Sequence, residues 1–186
     1  SPVAAYIEEA AQLRANAARL LDDLEAVLGN AHDSVTADEY SRADADLDEA
    51  AEILDAALGR ISELGDGAAA EFQERVDELR EWLGDVRRER AAGKGARAHA
   101  LGQNHWSREE YEAAATAYEK ALASYEAALG TDGSVPADGA IESRYRAAVA
   151  EREILRVGPL VDADSKTANT SSGVASVSAA SGTISR

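Results

Sequence analysis

Apolar residues recur along most of this chain at alternating steps of three and four. The first stripe runs Tyr6, Ala10, Leu13, Ala17, Leu20, Leu24 and Val27. A second joins Leu47, Ala51, Leu54, Leu58 and Ile61, and a third Phe72, Val76, Leu79, Leu83 and Val86. A fourth links Tyr111, Ala115, Tyr118, Leu122, Tyr125 and Leu129, and a shorter fifth Ile141, Tyr145, Ala148 and Leu155. Such spacing gathers one apolar face on each of several α-helices, as in a heptad seam. The two-residue alternation of a half-buried strand is absent before residue 167.

Punctuation between the stripes predicts where the helices begin and end. Ser1-Pro2 reads as an N-cap followed by proline at the first helical position. Thr36-Ala-Asp-Glu39 and Ser107-Arg-Glu-Glu110 read as capping boxes, stapled by Val35 with Tyr40 and by Trp106 with Tyr111. Gly29, Gly65 and Gly130 are candidate stops. Gly93 and Gly95 are expected to break or kink the helix that starts near Gly67, unless it continues as one bent rod. Pro136 opens the last helix. The predicted helices span about 2–30, 36–64, 67–92, 95–105, 107–130 and 136–157.

A repeat lies within this pattern. Placing Val35 on Trp106 aligns 25 residues without a gap, from Val35-Thr-Ala-Asp-Glu-Tyr40 on Trp106-Ser-Arg-Glu-Glu-Tyr111 to Asp55-Ala-Ala-Leu-Gly59 on Glu126-Ala-Ala-Leu-Gly130. Alanine-rich helices inflate such matches, so the shared turn and terminal glycine matter more than the alanines. The simplest reading is a duplicated αα-hairpin. The predicted fold is therefore all-α: an antiparallel helical bundle of two related αα-hairpins, a C-terminal helix and a flexible tail. Residues 1–92 would form an acidic long-helix bundle and 93–160 the second hairpin with its closing helix. Residues 161–186 would be a Ser/Ala/Gly tail, because 167–185 carry no charge and no large side chain to offset the entropy of ordering.

In the second copy, Leu101-Gly102, Tyr111, Ala114, Tyr118, Ala121 and Leu122 fall at helix-contact spacing, with Tyr118-Glu-Lys-Ala-Leu122 as the densest run. Over about residues 95–125 this resembles a tetratricopeptide hairpin. It departs from that family in having Ala98 at the early aromatic position, no closing proline and no surrounding 34-residue array. The resemblance implies a packed helix pair, with His99, Gln103 and Trp106 on the concave, partner-binding side.

Composition and charge change this picture in three ways. First, the 186 residues include no Cys or Met, so disulfides, thiolate metal sites and thiol nucleophiles are excluded, and no apolar run is long enough to span a bilayer. Second, 35 acids oppose 19 bases, and only Lys94, Lys120 and Lys166 are lysines. That balance resembles proteins of salt-in halophiles, where molar salt shortens the Debye length to about 3 Å and screens acidic self-repulsion. It also argues against nucleic acid and anionic lipid as partners. Third, the charge is unequal along the chain. Residues 1–86 hold 22 acids and 6 bases, whereas 87–97 carry Arg87, Arg88, Arg90, Lys94 and Arg97 against Glu89 alone. This basic segment is either a docking point for an acidic partner or a set of cations paired with the acidic helices.

Candidate chemistry is sparse. Asp44, Asp46 and Asp48 lack the glycine and glutamate that a calcium loop requires at its sixth and twelfth positions. His32, His99 and His105 sit in no zinc or di-metal helix motif. Ala98-His-Ala-Leu-Gly102 resembles the phosphoacceptor helix of histidine phosphotransfer domains, but lacks the lysine between leucine and glycine. No cofactor, metal or catalytic set is expected. The sequence points to a non-catalytic scaffold or protein-interaction module adapted to high salt, with a protein partner or a homodimer. The alternatives are phosphotransfer at His99 and a ligand- or metal-binding bundle. Charged, amphipathic sequence after Ser1-Pro2 in place of a signal peptide makes the expected location cytoplasmic.

Overall fold

The structure, a computed structural model, describes residues 1–130 and 139–157. It is an all-α bundle: α1 (Pro2–Thr36), α2 (Tyr40–Glu63), α3 (Asp66–Ser107), α4 (Tyr111–Leu129) and α5 (139–157), with no strand among the described residues. The expected tail, and Pro136 at the start of the last helix, lie outside the described residues.

The apolar stripes explain the packing. Leu21, Leu24 and Leu28 of α1, Leu47 and Leu54 of α2, and Val76, Leu79, Leu83 and Val86 of α3 share one buried cluster. Each such side chain contributes roughly 1.5–3 kcal/mol by leaving water, and interleaved alanines (Ala17, Ala43, Ala50, Ala57) leave room for close approach. Side-chain pairs reveal the direction. Arg14 reaches Glu71 at 3.5 Å and His32 reaches Glu89 at 3.2 Å, so α1 and α3 run parallel with one offset, and α2 returns antiparallel. Further along α3, Ala91 packs with Ala121, Leu122, Tyr125 and Ala128 of α4 and Ile141 and Ala148 of α5. A third cluster unites Ala114, Tyr118 and Leu155, with Trp106 against it. Two three-helix assemblies thus share one 42-residue helix.

Gly93 and Gly95 neither break nor end α3, and the 92/93 boundary falls inside it. The reason is tertiary. A Cβ at Gly95 would stand 2.7 Å from Tyr125 Cδ1, one at Gly102 would stand 2.9 Å from Tyr118 Cε1, and Gly93 faces the Tyr40 ring equally closely. These glycines are notches that receive aromatic rings, and ring burial outweighs their poor helix propensity of about 1 kcal/mol each. The repeat shows the trade. Within it Leu54 and Leu47 align with Tyr125 and Tyr118, and carrying the same offset of 71 back along α1 and α3 sets Leu24 against Gly95 and Ala31 against Gly102. All eight positions are buried, and where one residue shrinks its counterpart grows. Gly29 does not stop α1 either: nothing crowds it, and the helix runs on to Thr36.

The two capping boxes are absent. Thr36 and Ser107 sit at the C-terminal ends of α1 and α3, where their hydroxyls donate back to the His32 and Asn104 carbonyls at 2.9 and 2.7 Å. Each turn is a Schellman closure instead. Glu39 N–H donates to Ser34 O and Asp38 N–H to Val35 O; Glu110 N–H donates to His105 O and Glu109 N–H to Trp106 O. Asp38 and Glu109 take the left-handed conformation (φ 60° and 62°) that this closure needs. The bonds recur residue for residue at the offset of 71, the same offset that aligns the sequence copies. Trp106 turns edge-on to Tyr118, with ring centroids 6.2 Å apart, while Tyr111 remains 43% exposed.

Candidate functional site

Three places gather polar chemistry or exposed apolar surface. The first holds the basic segment. Arg90 donates to Asp44 Oδ1 at 2.6 Å and Lys94 to Asp44 Oδ2 at 3.4 Å, both across to α2, and Arg88 pairs with Asp85 one turn back at 3.1 Å. Arg97 lines a shallow surface depression with Asp38, Tyr40 and Arg42, and Arg87 is exposed. Three of the five cations are therefore engaged by the chain's own carboxylates. Beside them, burial pushes the Tyr40 hydroxyl up to about 12, helped by its 2.7 Å hydrogen bond to Asp38 and opposed by Arg97.

The second place is where α5 meets the α3–α4 hairpin. His99 is only 12% exposed at its side chain, and its Nε2–H donates to Glu151 Oε2 at 2.7 Å. Its Nδ1 lies 3.5 Å from the Tyr125 hydroxyl. Gln103 Nε2 donates to both Glu151 oxygens at 3.1 and 3.3 Å. Tyr118 and Tyr125 stand edge-on to the imidazole at 5.8 and 6.2 Å. The Tyr118 side chain is fully buried, and its hydroxyl faces the Glu151 carboxylate without a hydrogen bond of good geometry. Burial raises its pKa well above the ordinary value, with the Glu151 carboxylate adding to the effect. Tyr125 is raised by burial as well, with Arg144 opposing.

His99, Gln103 and Trp106 are thus brought to one region, but α5 occupies that side of the hairpin. A phosphoryl donor would have to displace Glu151 to reach Nε2. Glu151 itself was missed by motif reading. No stripe marked it: the alternating steps from Ile141 through Tyr145 and Ala148 to Leu155 put Arg152, not Glu151, at the skipped position. An open groove of about 410 Å³ between α4 and α5 is lined by Tyr111, Ala115 and Leu155. Its rim holds Glu112, Glu119, Arg152 and Arg156, which favour neither sign of ligand. Among the described residues no three of His, Asp and Glu converge as metal ligands.

The third place is the start of α1. Val3, Tyr6 and Ile7 are 67, 72 and 62% exposed, although they lie on the side of α1 where Ala17, Leu21, Leu24, Leu28 and Ala31 are fully buried. The register explains this. Glu71 lies beside Arg14 and Glu89 beside His32, so Asp66, the first residue of α3, is level with residue 9. Among the described residues the helix before that level has no neighbour to pack on, and it projects by about two turns, or roughly 10 Å.

No described helix is long and apolar enough to cross a membrane. Comparison with protein-family models, with curated proteins and with solved structures finds no match to this chain.

Proposed function

We propose that this protein is a non-catalytic helical scaffold or protein-interaction module whose docking element is the projecting end of α1. One observation carries the reading: an apolar heptad seam runs past its last partner among the described residues and leaves Val3, Tyr6 and Ile7 facing solvent on one side of a helix. A core residue has no reason to be repeated there. The acidic surface supports operation in concentrated salt, consistent with a cytoplasmic location in a salt-accumulating cell, and disfavours nucleic acid as a partner.

The test compares the full chain with a Val3→Gln/Tyr6→Gln/Ile7→Gln variant, immobilised and exposed to one native lysate in molar KCl. Glutamine keeps helix propensity, and the exposed side chains hold no core together. The reading expects a partner, or further copies of the chain, retained by the intact protein and lost from the variant. Equal retention by both, or retention by neither together with monomeric sedimentation, overturns it. Phosphotransfer at His99 gains no support from an imidazole already bonded to Glu151.

A further inference from the structure

The two copies of the repeat differ most in one core layer. At the offset of 71 that relates them, Leu28, Leu47 and Leu54 of the first copy fall on His99, Tyr118 and Tyr125 of the second. The third helix of each assembly matches with one residue more. There the buried Val76 and Leu83 fall on the buried Ala148 and Leu155, which sets Leu79 on Glu151. The leucines at 28, 47, 54 and 79 all belong to one buried cluster. Their counterparts are an imidazole, two phenols and a carboxylate, gathered around His99 from α3, α4 and α5. A leucine layer in the first copy is thus a polar layer in the copy that α5 closes.

We infer that α5 is a releasable strap: it opens from the α3–α4 hairpin as a unit, ahead of the rest of the bundle, and the polar layer sets how readily it does so. Opening the first copy bares leucines, and water offers them no bonds in return. Lifting α5 returns water to the Glu151 carboxylate, the His99 imidazole and the Tyr118 hydroxyl, the last of which makes no good hydrogen bond in the closed form. The apolar hold is small as well. α5 buries Ile141, Ala148 and Leu155, whereas the matching stretch of α3 buries Val76, Leu79, Leu83 and Val86 and is anchored by the helix that continues beyond it. The layer also selects the closed register. His99 and Gln103 both donate to the one carboxylate, and an α5 seated elsewhere forfeits those bonds and leaves the charge buried and unpaired. With side chains only 12% and 27% exposed, the His99–Glu151 pair is screened by salt much less than a surface pair, so the strap keeps its key in concentrated salt. Opening uncovers the side of α3 and α4 that holds His99, Tyr118 and Tyr125.

The experiment follows amide hydrogen exchange of the full chain by NMR. The amides of α5 (139–157) are expected to share one exchange rate, about tenfold or more faster than those of the matching α3 stretch, 67–85. A rate no faster than in α3, or a gradient that only rises toward residue 157 as in a fraying end, overturns the strap. His99→Leu/Glu151→Leu restores the first copy's leucines and should slow α5 exchange about tenfold or more, with 67–85 unchanged. Glu151→Leu alone leaves His99 without its acceptor and should not slow it. A double variant whose α5 exchanges as fast as the original overturns the role of the polar layer. A second readout leaves that layer intact. The chain has no cysteine, so Ala148→Cys and Val76→Cys place single buried thiols at matching positions of the two copies. The thiol at 148 should react with a disulfide reagent about tenfold or more faster than the one at 76. Equal reaction of the two overturns the strap whether or not the leucine variant folds.

Discussion

Adding one methyl group to α3 should have opposite effects at two glycines. At Gly84 nothing lies within 4 Å of a new Cβ, so Gly84→Ala gains the helix propensity of alanine, about 1 kcal/mol. At Gly95 the same methyl would stand 2.7 and 2.8 Å from Tyr125 Cδ1 and Cε1, against a comfortable carbon–carbon separation of about 3.5–4.0 Å. The ring must retreat by most of an ångström. It is 1% exposed and enclosed by Ala91, Ala121, Leu122, Ala128, Ile141 and Ala148, so its retreat disturbs a packed cluster. Overpacking of this kind costs about 1–3 kcal/mol, which cancels or exceeds the propensity gain. The two variants should therefore differ by about 1–3 kcal/mol. At roughly 2–4 °C per kcal/mol for a chain of this size, Gly84→Ala should melt several degrees higher than Gly95→Ala. The assay is thermal unfolding followed by far-ultraviolet circular dichroism. In a Tyr125→Ala background the clash is gone, and Gly95→Ala should become stabilising. Equal upward shifts for Gly84→Ala and Gly95→Ala in the wild-type background would refute the notch and the packing argument built on it.

Other consequences can be checked on the same instruments. Glu109→Gly relieves a left-handed glutamate and should stabilise by about 1 kcal/mol, read as a rise in melting temperature; Asp38→Gly should gain less, because it also removes the acceptor of the Tyr40 hydroxyl. No rise for Glu109→Gly would count against the Schellman geometry at that turn. Tyr118→Phe removes a buried hydroxyl that faces the Glu151 carboxylate without a good hydrogen bond, so chemical denaturation should show unchanged stability or a gain of up to about 1 kcal/mol; a clear loss would show that the hydroxyl bonds Glu151 in solution. Alkaline pH should unfold the protein. Tyr40, Tyr118 and Tyr125 are all raised above 10.0 in the fold, so their protonated forms contribute stability that is complete below pH 10 and is lost as pH climbs through the folded values. Tyrosinate absorbance and helix loss should rise together above pH 10; tyrosinate appearing with its ordinary midpoint and no loss of helix would contradict the burial argument.

The helical class and the apolar faces were legible because heptad spacing is a property of the chain itself. Leu24, Leu79 and Leu83 lie on the stripes and share a core, whereas on α1 the stripe through Leu20 and Val27 runs one residue off the buried face, which holds Leu21 and Leu28. The helix ends were less legible. A Ser/Thr-x-x-Glu match reads the same whether it opens one helix or closes the one before, and here Thr36 and Ser107 close helices. A scan for glycine stops also misses Asp38 and Glu109, which carry the left-handed angle themselves. Continuity of α3 through Gly93 and Gly95 depends on rings from distant sequence, Tyr40 and Tyr125, and no local rule contains them. At the candidate sites, sequence found His99 and Gln103 but not the carboxylate that joins them, since Glu151 lies about 50 residues away on another helix and no local pattern marks it. The basic segment was legible as charge, and its engagement by Asp44 only as geometry.

Because α3 runs unbroken through both three-helix assemblies, it works as a ruler. Its 42 residues span about 63 Å at 1.5 Å each, and they fix how far the α1 end stands from the Trp106 end. Removing seven residues from it would shorten that separation by about 10 Å while nearly preserving the face presented at each end. Removing five would instead turn one assembly about the helix axis by more than a quarter revolution. A molecule built this way delivers whatever it holds at its two ends at a set distance and a set angle, and the glycine notches that keep the rod continuous are what protect that setting.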